Sequence, residues 1–237
     1  MEAVDGQVGH HLRVSTTCAT MAPKGGAGMG DQGSLFEALF GHRPGPARSS
    51  PSTVRLPPGQ YQTEKFPVLH YGTVPQIDLA HWDLRVWGEV EHPVRLTWEA
   101  FRTLPRRHLR ADIHCVTRWS KLDTLWEGVP VREVLALARP TSRAAFVLAH
   151  AEQGYTANLP LPLLLEDDAL LADTYDGRPL EPEHGWPLRL VVPRRYFWKS
   201  AKWLRGLEVL AEDRPGFWER YGYHNDADPW REERFAE

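Results

Sequence analysis

Cys115 lies in the run Ala111-Asp112-Ile113-His114-Cys115-Val116-Thr117-Arg118-Trp119-Ser120, with an imidazole directly before it and a guanidinium shortly after it. Basic neighbours lower the pKa of a thiol and favour the thiolate, the form that attacks electrophiles and binds soft metals. On these residues alone the commoner outcome is a buried structural cysteine. Two reactive uses compete with it. One is nucleophilic attack on a carbonyl with a histidine as base. The other is ligation of a metal. His114 is a poor base for the first, because adjacent residues on a strand point to opposite faces. Zinc is disfavoured, since the chain has neither C-x-x-C nor H-E-x-x-H, and His10-His11 fall in the weakly apolar N-terminal stretch.

A second concentration of chemistry comes later. His184 and Arg189 bracket Gly185-Trp186-Pro187-Leu188, and Lys199 and Lys202 lie in Trp198-Lys199-Ser200-Ala201-Lys202-Trp203. Between them runs an apolar stretch ending at Pro193. Cations at both ends of a buried strand can hold an anion across its rim through charge-assisted hydrogen bonds, roughly twice as strong as neutral ones. Arg194 and Arg195 read instead as a solvated basic turn.

The elements that must position these groups are short. Residues 82–90 begin with the alternation of a half-buried strand. Thr97 can cap a helix over 98–104 that Pro105 stops. A strand is predicted over 113–117, a turn over 126–130, and a helix over 131–138 ended by Pro140. Residues 144–150 and 169–175 read as strands, and Asp176-Gly177 is a strong hairpin signal. Residues 188–192 and 203–210 complete the strands. Many short strands with few short helices predict an α+β domain dominated by mixed sheet.

The chain of 237 residues, 42% hydrophobic and 25% charged, can bury a sizeable core. Ten tryptophans are the outlier, and core filling is expected for most. A net charge of −3 argues against nucleic acid, whose phosphates demand clustered Lys and Arg. The two cysteines, Cys18 and Cys115, make no disulfide framework and fit a reducing compartment. No apolar run reaches the roughly 18 residues of a membrane span, and no secretory leader is evident at Met1. Cytoplasmic residence is therefore expected. Residues 1–54 are rich in Gly, Pro and Ser and read as a disordered tail and linker, leaving 55–237 as the folded domain.

The motifs fall in an order that resembles one family. His-Cys-Val-Thr-x-Trp-Ser at 114–120, Trp-Glu-Gly-Val-Pro at 126–130 and Gly-Tyr at 154–155 come first. They are followed by His-Gly-x-Pro-Leu-Arg-Leu-Val-Val-Pro at 184–193 and Lys-Ser-x-Lys-Trp-Leu at 199–204. Together they look like the molybdopterin-binding domain of the sulfite oxidase family, over roughly residues 55–235, and most like its single-domain bacterial members.

The resemblance implies a molybdenum–molybdopterin cofactor with Cys115 as the protein's metal ligand. It implies that His184, Arg189 and Lys202 hold the phosphate and pterin, aided by backbone amides near Ser200, with His70 as a further pterin contact. Arg118 would add positive charge near Cys115, and Tyr223 or Tyr221 would supply the active-site tyrosine. The implied reaction is oxygen-atom transfer coupled to a two-electron change at the metal. Sulfite-oxidising members carry Arg-Asn-His where this chain has Val68-Leu69-His70, which places sulfite in doubt. An oxyanion and a neutral sulfoxide both stay open as substrates. With no C-x-x-C-H haem motif, a separate electron carrier is implied. Two other readings stand beside this one: a non-catalytic cofactor-binding module, and a cysteine-nucleophile enzyme.

Overall fold

The computed structural model describes residues 55–236. The tail and linker expected over 1–54, with Cys18 and His10-His11, lie outside the described residues.

Two mixed sheets carry the fold. The first contains β1 (Tyr61–Gln62), β4 (Arg107–His114), β5 (Trp119–Pro130), β8 (Leu170–Tyr175), β9 (Arg178–Pro179) and β10 (Arg189–Val191). Its path runs β1-β5-β8-β10, with β4 added to β5 and β9 to β8. The second contains β2 (Asp83–Gly88), β3 (Val94–Thr97), β6 (Phe146–Ala151), β7 (Thr156–Pro160) and β11 (Leu204–Leu210), in the order β3-β2-β11-β6-β7. Three short helices, α1 (Trp98–Arg102), α2 (Val131–Ala138) and α3 (Leu161–Leu164), complete the regular structure.

Local chemistry explains the elements. Thr97 accepts a hydrogen bond from the Ala100 amide at 3.3 Å and starts α1. In α2, Val131, Val134, Leu135 and Ala138 are buried, the spacing of one helical face. Asp176 and Gly177 both take positive φ, 50° and 73°, as the two-residue turn between β8 and β9 requires. The period-2 rule sets the faces of β8. Leu171 enters the main core with Leu84, Val147, Leu190 and Leu207, while Leu170 and Ala172 enter a second core with Ile113, Cys115, Trp119 and Trp126. The first sheet is therefore buried on both faces around its centre, and Cys115 sits at the edge of the second core.

Two expectations need correction. The predicted turn at 126–130 is the end of the 12-residue strand β5. Gly128 is there for close approach: a Cβ on it would lie 2.0 Å from the Leu171 carbonyl oxygen. Pro130, the last residue of β5, leads directly into α2. The strand predicted over 113–117 runs earlier, as β4, and stops at His114. Among the described residues no helix is long and apolar enough to cross a membrane.

Candidate active site

The β4–β5 hairpin ends in a tight turn that begins with Cys115. The Arg118 amide donates to the Cys115 carbonyl at 3.0 Å, and the Cys115 amide donates to the Trp119 carbonyl at 2.9 Å. Arg118 closes this turn in the left-handed conformation, φ 76°. Gln60 ties the turn to the segment before β1 by donating from its side-chain amide to the Cys115 carbonyl at 3.0 Å. The chain is thus held on both sides of the thiol.

The thiol opens into a cavity of about 290 Å³. Its walls are mostly aromatic, including Phe66, Trp119, Tyr155, Trp198, Trp218 and Tyr223. Trp119, Trp198 and Trp203 are buried with the core, as expected of most tryptophans, and also form part of the cavity wall. Cys115 is 8% exposed. Burial raises its pKa above the ordinary thiol value, opposed by hydrogen bonding from Thr117 and Val116 and by the charge of Arg234. The basic neighbours expected to lower it do not act as the sequence implied. Arg118 is exposed and does not line the cavity. His114 turns the other way, its Nδ1 2.8 Å from Ser120 Oγ, and burial lowers its pKa to about 4. It is neutral near pH 7.

Arg189 and Lys202 both line the cavity. Arg189 is 1% exposed, and it donates at 2.8 Å to the His184 carbonyl and at 3.0 Å to the Ser200 carbonyl. Phe197 lies 4.4 Å from the guanidinium carbon. Burial without a carboxylate drives the Arg189 pKa down to about 9. Lys202 donates to the Leu69 and Glu183 carbonyls at 2.9 and 2.6 Å, and burial lowers its pKa to about 7. Arg189 is fully buried and Lys202 partly so, and a desolvated cation whose partners are all carbonyls is costly unless an anion joins it. The pair fits an anionic cofactor on this ground.

The remaining expected residues divide. Ser200 lines the cavity, but its hydroxyl accepts from the Val192 amide at 2.9 Å and its own amide donates to the Phe197 carbonyl. His70 lines the cavity and is exposed at its edge, 5.4 Å from the Trp203 ring. Tyr223 lines it too, against Trp198 and Trp218. Tyr221 is 69% exposed and does not. His184 stands behind the wall rather than in it. It stacks on Phe66 at 4.1 Å, with Nε2 3.2 Å from the Phe66 carbonyl oxygen. Arg195, read as solvated, is largely buried and paired with Asp226 at 2.8 Å. Arg194 is half exposed and paired with Asp168, closer to expectation.

The structure adds groups that the sequence reading did not use. Arg234 donates to the Val116 carbonyl at 2.6 Å and brings its charge to the thiol turn from far along the chain. Tyr155, in the Gly-Tyr motif, is half-buried in the cavity wall and donates to the Trp198 carbonyl.

Comparison with known proteins accords with this geometry. The oxidoreductase molybdopterin-binding domain matches residues 71–218. The oxidoreductase YuiH of Bacillus subtilis is 50% identical over 193 residues, covering 81% of this chain and 98% of that one. The protein-methionine-sulfoxide reductase catalytic subunit MsrP of Campylobacter jejuni is 28% identical over 171 residues, 63% of this chain and 57% of that one. Among solved structures, the sulfane dehydrogenase SoxCD of Paracoccus pantotrophus shares the fold with a TM-score of 0.57 at 23% identity, over 65% of this chain and 43% of that one. The family match over residues 71–218 defines a molybdopterin-binding oxidoreductase domain. The chain belongs to the oxidoreductase molybdopterin-binding domain family, and its cofactor is molybdenum–molybdopterin.

Proposed function

We propose that this protein is an oxygen-atom-transfer enzyme that reduces a neutral sulfoxide, with Cys115 as the protein ligand to molybdenum. The observation that carries this reading is the composition of the cavity. Among the described residues one thiol faces it, its lysine and arginine side chains are Arg189 and Lys202, its one carboxylate is Glu152, which is paired with Arg205, and the rest is chiefly aromatic. When bound, the cofactor supplies a metal that changes by two electrons as one oxygen atom moves.

The chain's own residues take the following parts. Arg189 and Lys202 hold the phosphate and pterin, and the anion relieves their burial. Ser200 fixes the loop between them through its bond to the Val192 amide. His70 closes the edge of the pterin site, and His184 supports it indirectly by stacking on Phe66. Tyr223, packed against Trp198 and Trp218 in the cavity wall, is the active-site tyrosine of this reading. With both buried cations committed to the cofactor, a neutral acceptor suits the remaining space better than an oxyanion. The name of the MsrP relative, a protein-methionine-sulfoxide reductase, supports the same choice. Electrons come from a separate carrier. The nucleophile reading is weakened because His114, its neighbouring imidazole, faces Ser120 rather than the thiol.

The test is elemental analysis with a sulfoxide-reduction assay, on protein made in a host that synthesises the cofactor. Wild type is expected to hold molybdenum and to reduce a dialkyl sulfoxide with an artificial electron donor. Cys115→Ser should keep its fold and lose turnover and the sulfur-to-metal absorption band. Retention of that band by Cys115→Ser would overturn the assignment.

A further inference from the structure

Cys115 follows β4 and opens a turn that points a donor back at its own sulfur. Thr117 Oγ1 donates to Cys115 Sγ at 3.2 Å. The backbone amides of Val116 and Thr117, next to it in the same turn, oppose the upward push of burial on the thiol's pKa. The turn is held in that shape by the Arg118-to-Cys115 bond, by Gln60 and by Arg234 on the Val116 carbonyl. A hydroxyl held within hydrogen-bonding distance of the sulfur as donor suits an atom that carries negative charge.

We propose that Thr117 is a positioning residue that tunes the molybdenum centre through a hydrogen bond to the ligand sulfur of Cys115. This rests on the reading of Cys115 as the metal ligand. Hydrogen bonds to a ligating atom withdraw electron density from it, and such outer contacts set the metal's electronic properties. A thiolate relieved of one donor gives more density to the metal and favours its oxidised state. Thr117 is exposed to the cavity rather than packed in a core, so exchanging it leaves the fold intact.

The experiment compares wild type, Thr117→Val, Thr117→Ser and Cys115→Ser as holoproteins, by molybdenum content, redox titration and visible absorption. Valine keeps the shape of threonine and removes the donor; serine keeps the donor. Thr117→Val should hold molybdenum at the wild-type ratio. Its one-electron reduction should become less favourable by roughly two- to tenfold, a fall of at most about 60 mV, with the sulfur-to-metal band moved to longer wavelength. Thr117→Ser should restore both values. An unchanged potential and band in Thr117→Val, or an equal change in Thr117→Ser, would overturn the proposal. Loss of molybdenum in Thr117→Val would also overturn it, by making the hydroxyl part of the cradle. Cys115→Ser separates the two readings. If it loses the band while Thr117→Val changes nothing, only the tuning role fails. If it keeps the band, the ligand assignment itself falls.

Discussion

The Lys199 ammonium lies 2.6 Å from the Glu219 carboxylate, with the two side chains 1% and 3% exposed. Lys199 also donates to the Asn158 carbonyl and side-chain oxygens at 3.0 and 2.8 Å. The same Glu219 oxygen accepts from Trp198 Nε1 at 2.8 Å, while its other oxygen has no partner among the described residues. Burial pulls the Lys199 pKa below its ordinary value even though the carboxylate opposes it. The pair joins the C-terminal segment to the Trp198 wall of the cavity.

Breaking this pair from one side should be severe. Lys199→Met leaves a buried carboxylate without its counter-ion, at a cost of about 3–5 kcal/mol. Adding Glu219→Gln removes that charge and should recover most of the loss. Urea unfolding of the single and double variants checks this. Equal losses in both would show that packing, not charge, sets the effect.

The cradle makes a prediction of opposite signs for binding and stability. Arg189→Met and Lys202→Met should each bind the cofactor about 30-fold or more weakly, from the loss of about 2–5 kcal/mol of contact to a buried anion. Arg194→Ala, whose partner is Asp168 at the surface, should retain wild-type molybdenum. In cofactor-free protein, Arg189→Met should melt no lower than wild type, because it removes a buried cation whose partners are carbonyls. Molybdenum-to-protein ratios and thermal melts of the apo forms are the measurements. A large destabilisation of apo Arg189→Met would make this arginine a structural residue first.

Much of this site was legible in the sequence, for reasons that differ by residue. Arg189 and Lys202 stood out through the family resemblance, and the structure brings both to one cavity. The Asp176-Gly177 turn was readable because two consecutive positive φ values favour few residue pairs. The end of β5 was not, because Gly128 and Pro130 are turn residues in most settings. Here Gly128 is demanded by a neighbouring strand that the local sequence does not contain. The environment of Cys115 failed for the same reason. Arg118 is close in sequence but belongs to the turn, whereas Arg234 reaches the site from the far end of the chain. His184 stacks on Phe66, which lines the cavity, and does not line it itself.

Asp83 sets the acid limit of the second sheet. Its side chain, 3% exposed, accepts from Arg85 and Arg205 at 2.9 and 3.0 Å and also from Arg95. Burial raises its pKa, but the three arginines together outweigh burial and hold it well below the usual carboxylate range. A carboxylate with a depressed folded pKa contributes stability that is fully present above the unfolded value, about 4. It is lost as pH falls from there through the folded value. Asp83→Asn should therefore cost about 1–3 kcal/mol near pH 7, discounted because Arg85 and Arg95 are mostly solvated. The gap between variant and wild type should stay constant from pH 8 to about pH 5 and narrow below about pH 4. A gap that already closes between pH 7 and pH 5 would assign the effect to another group.

Substrate charge gives the sharpest test of the proposed activity. Val68, which stands where sulfite-oxidising members of the family carry arginine, is 47% exposed and does not line the cavity. Arg118 does not line it either, and Arg234 is engaged with the Val116 carbonyl. A small dianion therefore meets no cation left free by the cofactor. One missing charge-assisted contact is worth roughly 1.5–3 kcal/mol, or about one to two powers of ten in affinity. Wild type should oxidise sulfite weakly, with a KM at least tenfold above that for a dialkyl sulfoxide in the reductive direction. Because position 68 faces solvent, Val68→Arg should change the sulfite KM by no more than about twofold, where a residue facing the substrate would lower it by the full charge-assisted contact. Steady-state kinetics in both directions, with artificial donors and acceptors and at two salt concentrations, separates these outcomes. A micromolar sulfite KM that rises steeply with salt would mean that Arg189 or Lys202 faces the substrate rather than the cofactor, and the sulfoxide reading would fall with it.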